Sequence, residues 1–403
     1  MTKITIDTDR RCFISNGRPV FYLADTAWNA LGALNEAQFR EYCADRASKG
    51  FNVIQMSALP LGRVGAEPFE RSGGKFDYSS PRDEYFMRAE RLLKIAHEYK
   101  LSPCLHLFWA NFIPDTWASS DPIPEELFES VARLLLTRLA PLAPFLSISG
   151  DTRFETERVV SYYKKALDLV AELAPDSMAT LHINPDFIDF VPRELTDHMA
   201  YRFASFQSGH ADAGWIDKIL EFTGKFTSRL PRLPLVNTEP CYENIGHYLK
   251  RELRFGASDV RRAFWLSLLG GAAAGFTYGA HGVWQCRLPN GAQSSPETWG
   301  DADDMFTALG YRGALDVAWS AKLLYDEGLF GLSRLELERD YASARVDGRK
   351  VEYFAADSNR RPNDRGHFGK SARIYDLDRR ERVDGLPDGD YIVIHEDDSR
   401  NAI

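Results

Sequence analysis

Two apolar runs of this chain each finish in a carboxylate. Phe145-Leu146-Ser147-Ile148-Ser149-Gly150 leads into Asp151, and Leu233-Pro234-Leu235-Val236-Asn237-Thr238 leads into Glu239. Hydrolysis of a glycosidic bond needs two such groups flanking one bond. One protonates the departing oxygen, and the other attacks the anomeric carbon or activates water. Glu239 is the candidate nucleophile and Asp151 the candidate acid/base, with retention of configuration expected. Both runs must then be strands that end on one face of the fold, as the fourth and seventh strands of an eight-stranded β/α barrel do. Plainer readings exist: Asp151 precedes a helical stretch and could cap it. Glu155 and Glu243 are rival acids on stretches expected to be solvated, and Arg153 could pair with either acid as a structural bridge.

The other strand ends supply Asp25 with Trp28, Gln55, His106 with Trp109, His182, Gln207 with His210, Tyr242 beside Glu239, and Tyr278 with His281 and Trp284. All are expected to contact substrate. Aromatic faces stack on sugar rings, while His, Gln and Asp bond to hydroxyls, so the mixture suits a neutral carbohydrate. The histidines are single and spread over four strand ends, with no His-x-His pair near the first strand, so no metal is expected. No nucleotide motif, Gly-x-Ser-x-Gly elbow or strand-end Schiff-base lysine is present, and no cofactor is expected.

The elements that must position these residues alternate along the chain. Strands are expected at Val20–Ala24, Phe51–Met56, Leu101–Phe108, Phe145–Gly150, Met178–Ile183, Met199–Phe206, Leu233–Thr238 and Gly275–Tyr278. Helices are expected at Asn35–Lys49 (capped by Asn35 with Gln38, stopped by Gly50), Pro81–Lys100, Pro124–Leu139, Thr156–Leu173, Trp215–Phe222, Ser258–Leu269 (capped by Ser258) and Asp303–Leu324. The pattern predicts an α/β fold, a (β/α)8 TIM barrel over residues 1–325. From residue 326 to 403, alternating runs at 344–346, 351–354, 372–375 and 391–394, separated by Asp-Gly turns, predict a small antiparallel β accessory domain. The polar run Asp357–Lys370 is expected to be a loop.

Composition sets limits. The chain has 403 residues and a formal net charge of -9, which argues against nucleic-acid binding and against an anionic membrane surface. The apolar stretch Ala263–Phe276 is too short to span a bilayer. Five widely spaced cysteines without a Cys-x-x-Cys pair predict buried thiols rather than disulfides or structural zinc. The first residues, Met1 to Asp7, carry no apolar core of a secretion signal, so a cytoplasmic protein is expected. Exposed edges of the accessory sheet could join a second subunit as a homo-oligomer.

Five stretches taken together resemble one family. They are Phe21-Tyr22-Leu23-Ala24-Asp25-Thr26-Ala27-Trp28, the segment from Arg46 to Gln55, Ser149-Gly150-Asp151, Asn237-Thr238-Glu239-Pro240-Cys241-Tyr242-Glu243, and the segment from Gly270 to Gly279. In this order they resemble the apiosidase-like glycoside hydrolases, β/α barrels that often carry a C-terminal β domain of collagen-binding type. The resemblance implies a catalytic Asp after the fourth strand and Glu after the seventh, falling on Asp151 and Glu239. It also implies that the C-terminal strands are an accessory domain. Many members of that family look secreted, whereas this N-terminus does not. Two other functions fit the residues: a barrel that binds carbohydrate without cleaving it, and a metal-dependent barrel hydrolase.

Overall fold

The computed structural model describes residues 3–395 apart from 63, 188, 212, 213, 249, 292–295 and 370. Met1 and Thr2, Lys370 at the end of the expected loop, and residues 396–403 of the expected accessory domain lie outside the described residues. The barrel strands are β1 (Tyr22–Thr26), β2 (Val53–Ser57), β3 (Ser102–Trp109), β4 (Phe145–Gly150), β5 (Met178–Thr180), β6 (Ala204–Gln207), β7 (Leu235–Glu239) and β8 (Gly275–Tyr278). They run parallel in the spatial order β5-β4-β3-β2-β1-β8-β7-β6. A parallel bridge between Ala179 and Tyr201, with Arg202 N donating to Ala179 O at 2.9 Å, joins β5 to the segment leading into β6. The fold is a TIM barrel, as expected.

The helices are α1 (Glu36–Lys49), α2 (Asp83–Glu98), α3 (Glu125–Leu139), α4 (Glu157–Leu173), α5 (Arg193–Thr196), α6 (Gly214–Arg229), α7 (Ala257–Gly270) and α8 (Arg312–Asp326). Asn35 and Gln38 form the expected reciprocal cap of α1, and Gly50 ends it at φ 96°. Other boundaries differ. Gly256 caps α7, its N–H donating to Asp259 at 2.8 Å, because Ser258 already lies inside the first turn. Thr156 caps α4, which leaves Asp151 free of that role. The expected closing helix breaks at Gly310 and Tyr311 into Met305–Leu309 and α8. β5 and β6 are shorter than expected, and α6 is longer. Among the described residues no helix is long and apolar enough to cross a membrane.

A meander that the sequence reading did not foresee (Ile4–Asp7, Cys12–Ser15, Arg18–Val20) lies under the barrel. Its Asn16-Gly17 turn holds φ of 50° and 73°, the left-handed pair that tight hairpins favour. It drives Phe13 edge-on against Phe145 and Phe203, and beside Tyr22, so the barrel floor is an aromatic layer.

After α8 a six-stranded antiparallel sheet spans Ser333–His395. Its inner face (Ala342, Ala344, Val351, Tyr353, Ile392) belongs to the same hydrophobic core as the barrel helices. At the junction Arg261 of α7, almost fully buried, meets Asp316 of α8 at 2.6 Å and Asp378, in the turn after strand Arg373–Asp376, at 2.8 Å, with Asp390 at 3.7 Å. All five cysteines are buried and unpaired, as expected.

Tyr22 and Ala24 of β1 face the barrel interior, so Asp25 faces outward onto α1. There it accepts hydrogen bonds from Tyr42 Oη at 2.7 Å and Arg46 Nε at 2.8 Å, all three side chains being buried. Removing one partner of a buried ion pair leaves an uncompensated charge, which costs about 3–5 kcal/mol. Arg46→Met is expected to lower unfolding free energy in urea by about that much. At a temperature where the variant stays folded, any reaction supported at the barrel mouth should persist, because the pair faces away from it.

Candidate active site

Glu239 reaches the mouth through an irregularity in β7. Phe206 pairs with Asn237, but the next residue of β6, Gln207, pairs with Glu239, so β7 carries one extra residue, Thr238. Val236 faces the interior, and strict alternation would therefore turn Glu239 outward. The bulge re-aims it. Gln55 of β2 reaches across the interior and donates from Nε2 to Thr238 O at 2.8 Å, while Asn237 bonds outward to Ser208 and Ser267 at 3.0 Å each.

Asp151 follows β4 with φ 52°, a left-handed conformation that Asp tolerates better than most residues. The indole N–H of Trp117 donates to its carbonyl at 2.7 Å. The preceding Gly150 is required: a Cβ there would stand 2.3 Å from the Trp109 indole.

His182, two residues past the end of β5, lies between the two acids. Its Nε2 is 3.3 Å from Glu239 Oε2 and 3.7 Å from Asp151 Oδ1. Thr238 Oγ1 gives its proton to Phe206 O at 3.1 Å, so it must accept from His182 Nδ1 at 3.0 Å. Nδ1 is thus protonated, while Nε2 faces both carboxylates and also stands 3.0 Å from the Gln207 amide nitrogen. Burial opposes a charge on the ring, but the contacts with Asp151 and Glu239 outweigh it and push its pKa up to about 9. His210 Nδ1 accepts from Tyr242 N at 3.3 Å, which puts its proton on Nε2, 3.1 Å from Glu239 Oε1. Burial alone would raise the Glu239 carboxyl. The bonds from His182 and His210 win and hold it well below the usual carboxylate range. Gln207 Nε2 donates to Asp151 Oδ1 at 2.8 Å. One oxygen from each acid and one His182 nitrogen all lie within 4.8 Å of one another, close enough to hold a metal ion as well.

The cavity over these groups has a volume of about 150 Å³. Trp28, Trp109, Asp151, His210, Glu239, Tyr242 and Trp284 line it, joined by Leu61, Ile245 and Trp299. Trp299 was legible only as a tryptophan in a polar, glycine-rich stretch, and Leu61 and Ile245 carried no signal. Four larger hollows are present: those of about 500 Å³ under the floor and about 680 Å³ beside α8 have no acidic side chain in their walls, one of about 410 Å³ has only Asp176, and one of about 330 Å³ lies among Asp376, Asp378 and Asp388 of the C-terminal sheet, away from the barrel mouth.

Several expected substrate contacts stand elsewhere. Asp25 and Tyr278 face away from the mouth. Tyr278 Oη donates to Glu243 Oε2 at 2.6 Å, and Glu243, expected to be solvated, is buried there and also accepts from Gly313 N at 2.8 Å. Gln55 lies below the cavity, spent on Thr238. His106 is buried among Trp28, Trp109 and His182 rather than in the cavity wall, and burial with the neighbouring His182 drives its pKa far down. His281 is buried behind Trp284 against Asn244 O at 3.2 Å, with its pKa lowered to about 4, mainly by burial. His182 and Gln207 contact the acids but do not line the cavity. Arg153 pairs with neither acid; it donates to Asn184 at 3.1 Å and meets Asp186 at 3.2 Å.

Comparisons with known proteins bear on the family and the fold. The family model described as apiosidase-like, catalytic domain, matches residues 7–330. No curated protein matches the chain by sequence. Among solved structures, a glycoside hydrolase is 18% identical with a TM-score of 0.78, covering 99% of this chain and 97% of its own. A glycoside hydrolase family 5 protein from Bacteroides vulgatus is 17% identical with a TM-score of 0.76, covering 100% and 94%. A glycoside hydrolase family 5 mannosidase from Rhizomucor miehei is 13% identical with a TM-score of 0.56, covering 81% and 99%. At these identities the structures show a shared fold.

The raised pKa of His182 has a consequence for stability. A group whose folded pKa rises from 6.5 to about 9 contributes stability that is complete below pH 6.5 and is lost as pH climbs through 9. The contribution is on the order of 3 kcal/mol. Thermal unfolding followed from pH 6.5 to 10 should show Tm falling over that window, and His182→Asn should flatten the fall. A wild-type Tm that stays level would contradict the charged state.

Proposed function

This chain belongs to the apiosidase-like family of glycosidases, and on that premise we propose that it releases one terminal sugar from a glycoside with retention of configuration. The spacing of the acids carries this reading. Retaining enzymes hold their carboxyl groups about 5–5.5 Å apart and inverting enzymes about 6.5–9.5 Å. One oxygen of Asp151 and one of Glu239 lie within 4.8 Å of each other, on the short side of this divide, which supports direct attack over an interposed water.

The environments support one division of labour. The Glu239 side chain is 10% exposed and held ionised by two histidines, which suits a nucleophile. The Asp151 side chain is 28% exposed on the solvent side, which suits a group that trades protons with leaving group and water. A Glu239 oxygen bonds to the anomeric carbon as the bond to the leaving oxygen breaks, and Asp151 delivers the proton. Water then attacks the same carbon, Asp151 takes its proton, and the Glu239 carboxylate is released. His182 positions both acids and keeps Glu239 charged. The cavity is far smaller than drug-sized pockets of about 300–1,000 Å³, which supports one sugar ring rather than a chain of them.

A panel of aryl glycosides and oligosaccharides, with Glu239→Gln as control, is expected to reveal one preferred sugar and no detectable turnover by the variant. Asp151→Asn should cost about 10²–10⁴-fold on a sugar leaving group and much less on an activated aryl one. Proton NMR of the first-formed sugar should show the substrate's own anomer; the opposite anomer would remove Glu239 as nucleophile.

The compact Asp151, His182 and Glu239 cluster favours one rival, a divalent cation held by those three groups. Activity that survives exhaustive chelation is the expected result. Loss on chelation with recovery on adding zinc or manganese would replace the two-carboxylate reading.

A further inference from the structure

The leaving group must stand on the Asp151 side of the cavity, because that acid protonates the leaving oxygen; this rests on the reading just given. Trp117, 51% exposed, is bound directly to that acid's main chain. Its loop is firmly braced. Thr116 Oγ1 donates to Ala110 O at 2.5 Å, Asp121 accepts from Phe76 N at 3.1 Å, and Tyr78 Oη donates to Asp121 O at 2.6 Å. The indole itself is pinned: Nε1 donates to Asp151 O, and the main-chain N donates to Glu155 Oε1 at 2.9 Å. The Arg153 guanidinium lies over the ring at 4.9 Å and is itself held by Asn184 and Asp186.

An aromatic ring held this rigidly, yet half open to solvent, gains nothing from its exposure unless something covers it. Arg153, Glu155 and Asp186 surround it with hydrogen-bonding groups, and an apolar face with a polar rim matches a sugar ring. The other exposed aromatic near the mouth, Tyr248, is tied through its N–H to His210 and packs on Trp299, on the nucleophile's side. We infer that Trp117 is the stacking platform for a saccharide leaving group, one ring beyond the cleaved bond.

The test compares two substrates of whichever sugar the panel identifies. One is the glycosyl fluoride, which has no leaving-group ring; the other is a disaccharide with glucose as the leaving ring. The ratio of kcat/KM for disaccharide over fluoride is expected to fall about tenfold in Trp117→Ala, mostly through KM. Trp117→Phe should keep most of the ratio, since it keeps the aromatic face but loses the bond to Asp151. A ratio unchanged in Trp117→Ala overturns the platform, as does an equal loss in both variants, which would mean that Trp117 acts through the Asp151 carbonyl. Should an aryl glycoside respond to Trp117→Ala while the disaccharide does not, the saccharide assignment falls. If wild-type protein turns over neither fluoride nor aryl glycoside of any sugar, the inference falls together with the glycosidase reading, a result distinct from the others.

Discussion

The seat of Glu239 governs the upper half of this barrel. A carboxylate taken out of water must be bonded or it will not stay charged. Here the partners are His182, two residues past β5 and in ion-pair contact at 3.3 Å, and His210 beyond β6, which bonds Glu239, while Gln207 of β6 holds Asp151 beyond β4. The backbone joins β5 to the stretch before β6 by a single bridge, the thinnest seam of the ring. The side-chain bonds cross that same seam. The groups arranged for chemistry thus also knit β4 to β7 at the mouth, and the one-residue bulge at Thr238 is what lets them meet.

A second layer stands outside the strands and holds the first in place. Asp25, Tyr42 and Arg46 fasten β1 to α1, and the Arg46 guanidinium lies 5.6 Å from the Tyr278 ring. Tyr278 bonds Glu243, which in turn takes the N–H of Gly313 at the start of α8. Two glycines make this closeness possible. A Cβ on Gly313 would stand 2.5 Å from Glu243 Oε2, and one on Gly279 would stand 2.1 Å from the Tyr242 ring. The loop after β7 is therefore fixed from behind, so Tyr242 presents its ring to the cavity.

Much of this was legible in the chain. Apolar runs punctuated by capped, amphipathic helices gave the barrel order, and an acid at the end of a long apolar run marked both Asp151 and Glu239. What sequence could not supply was the direction of a side chain. Asp25 and Glu239 both close a strand, and simple alternation sends both outward. Only the bulge, decided by hydrogen bonding between β6 and β7, turns one of them in. Tyr278 was misplaced for the same reason, and Gln55, His106 and His281 because a strand end does not tell how deep a side chain lies. The floor meander escaped because its strands are three or four residues long, although its Asn16-Gly17 turn was a readable hairpin signal. Trp299 lies far from any strand end.

The Arg261 joint bears on how such a protein can change over generations. A module strung on a linker can be lost, swapped or duplicated while its neighbour survives. Here one guanidinium is shared among acids of α8 and of the C-terminal sheet, and beneath it the sheet's inner face fills the same apolar interior as the helices. Cutting the gene after α8 would strand a buried cation and bare a slab of oily surface at once. Barrel and sheet therefore depend on one another for burial, and a change on one side of the joint has to be matched on the other.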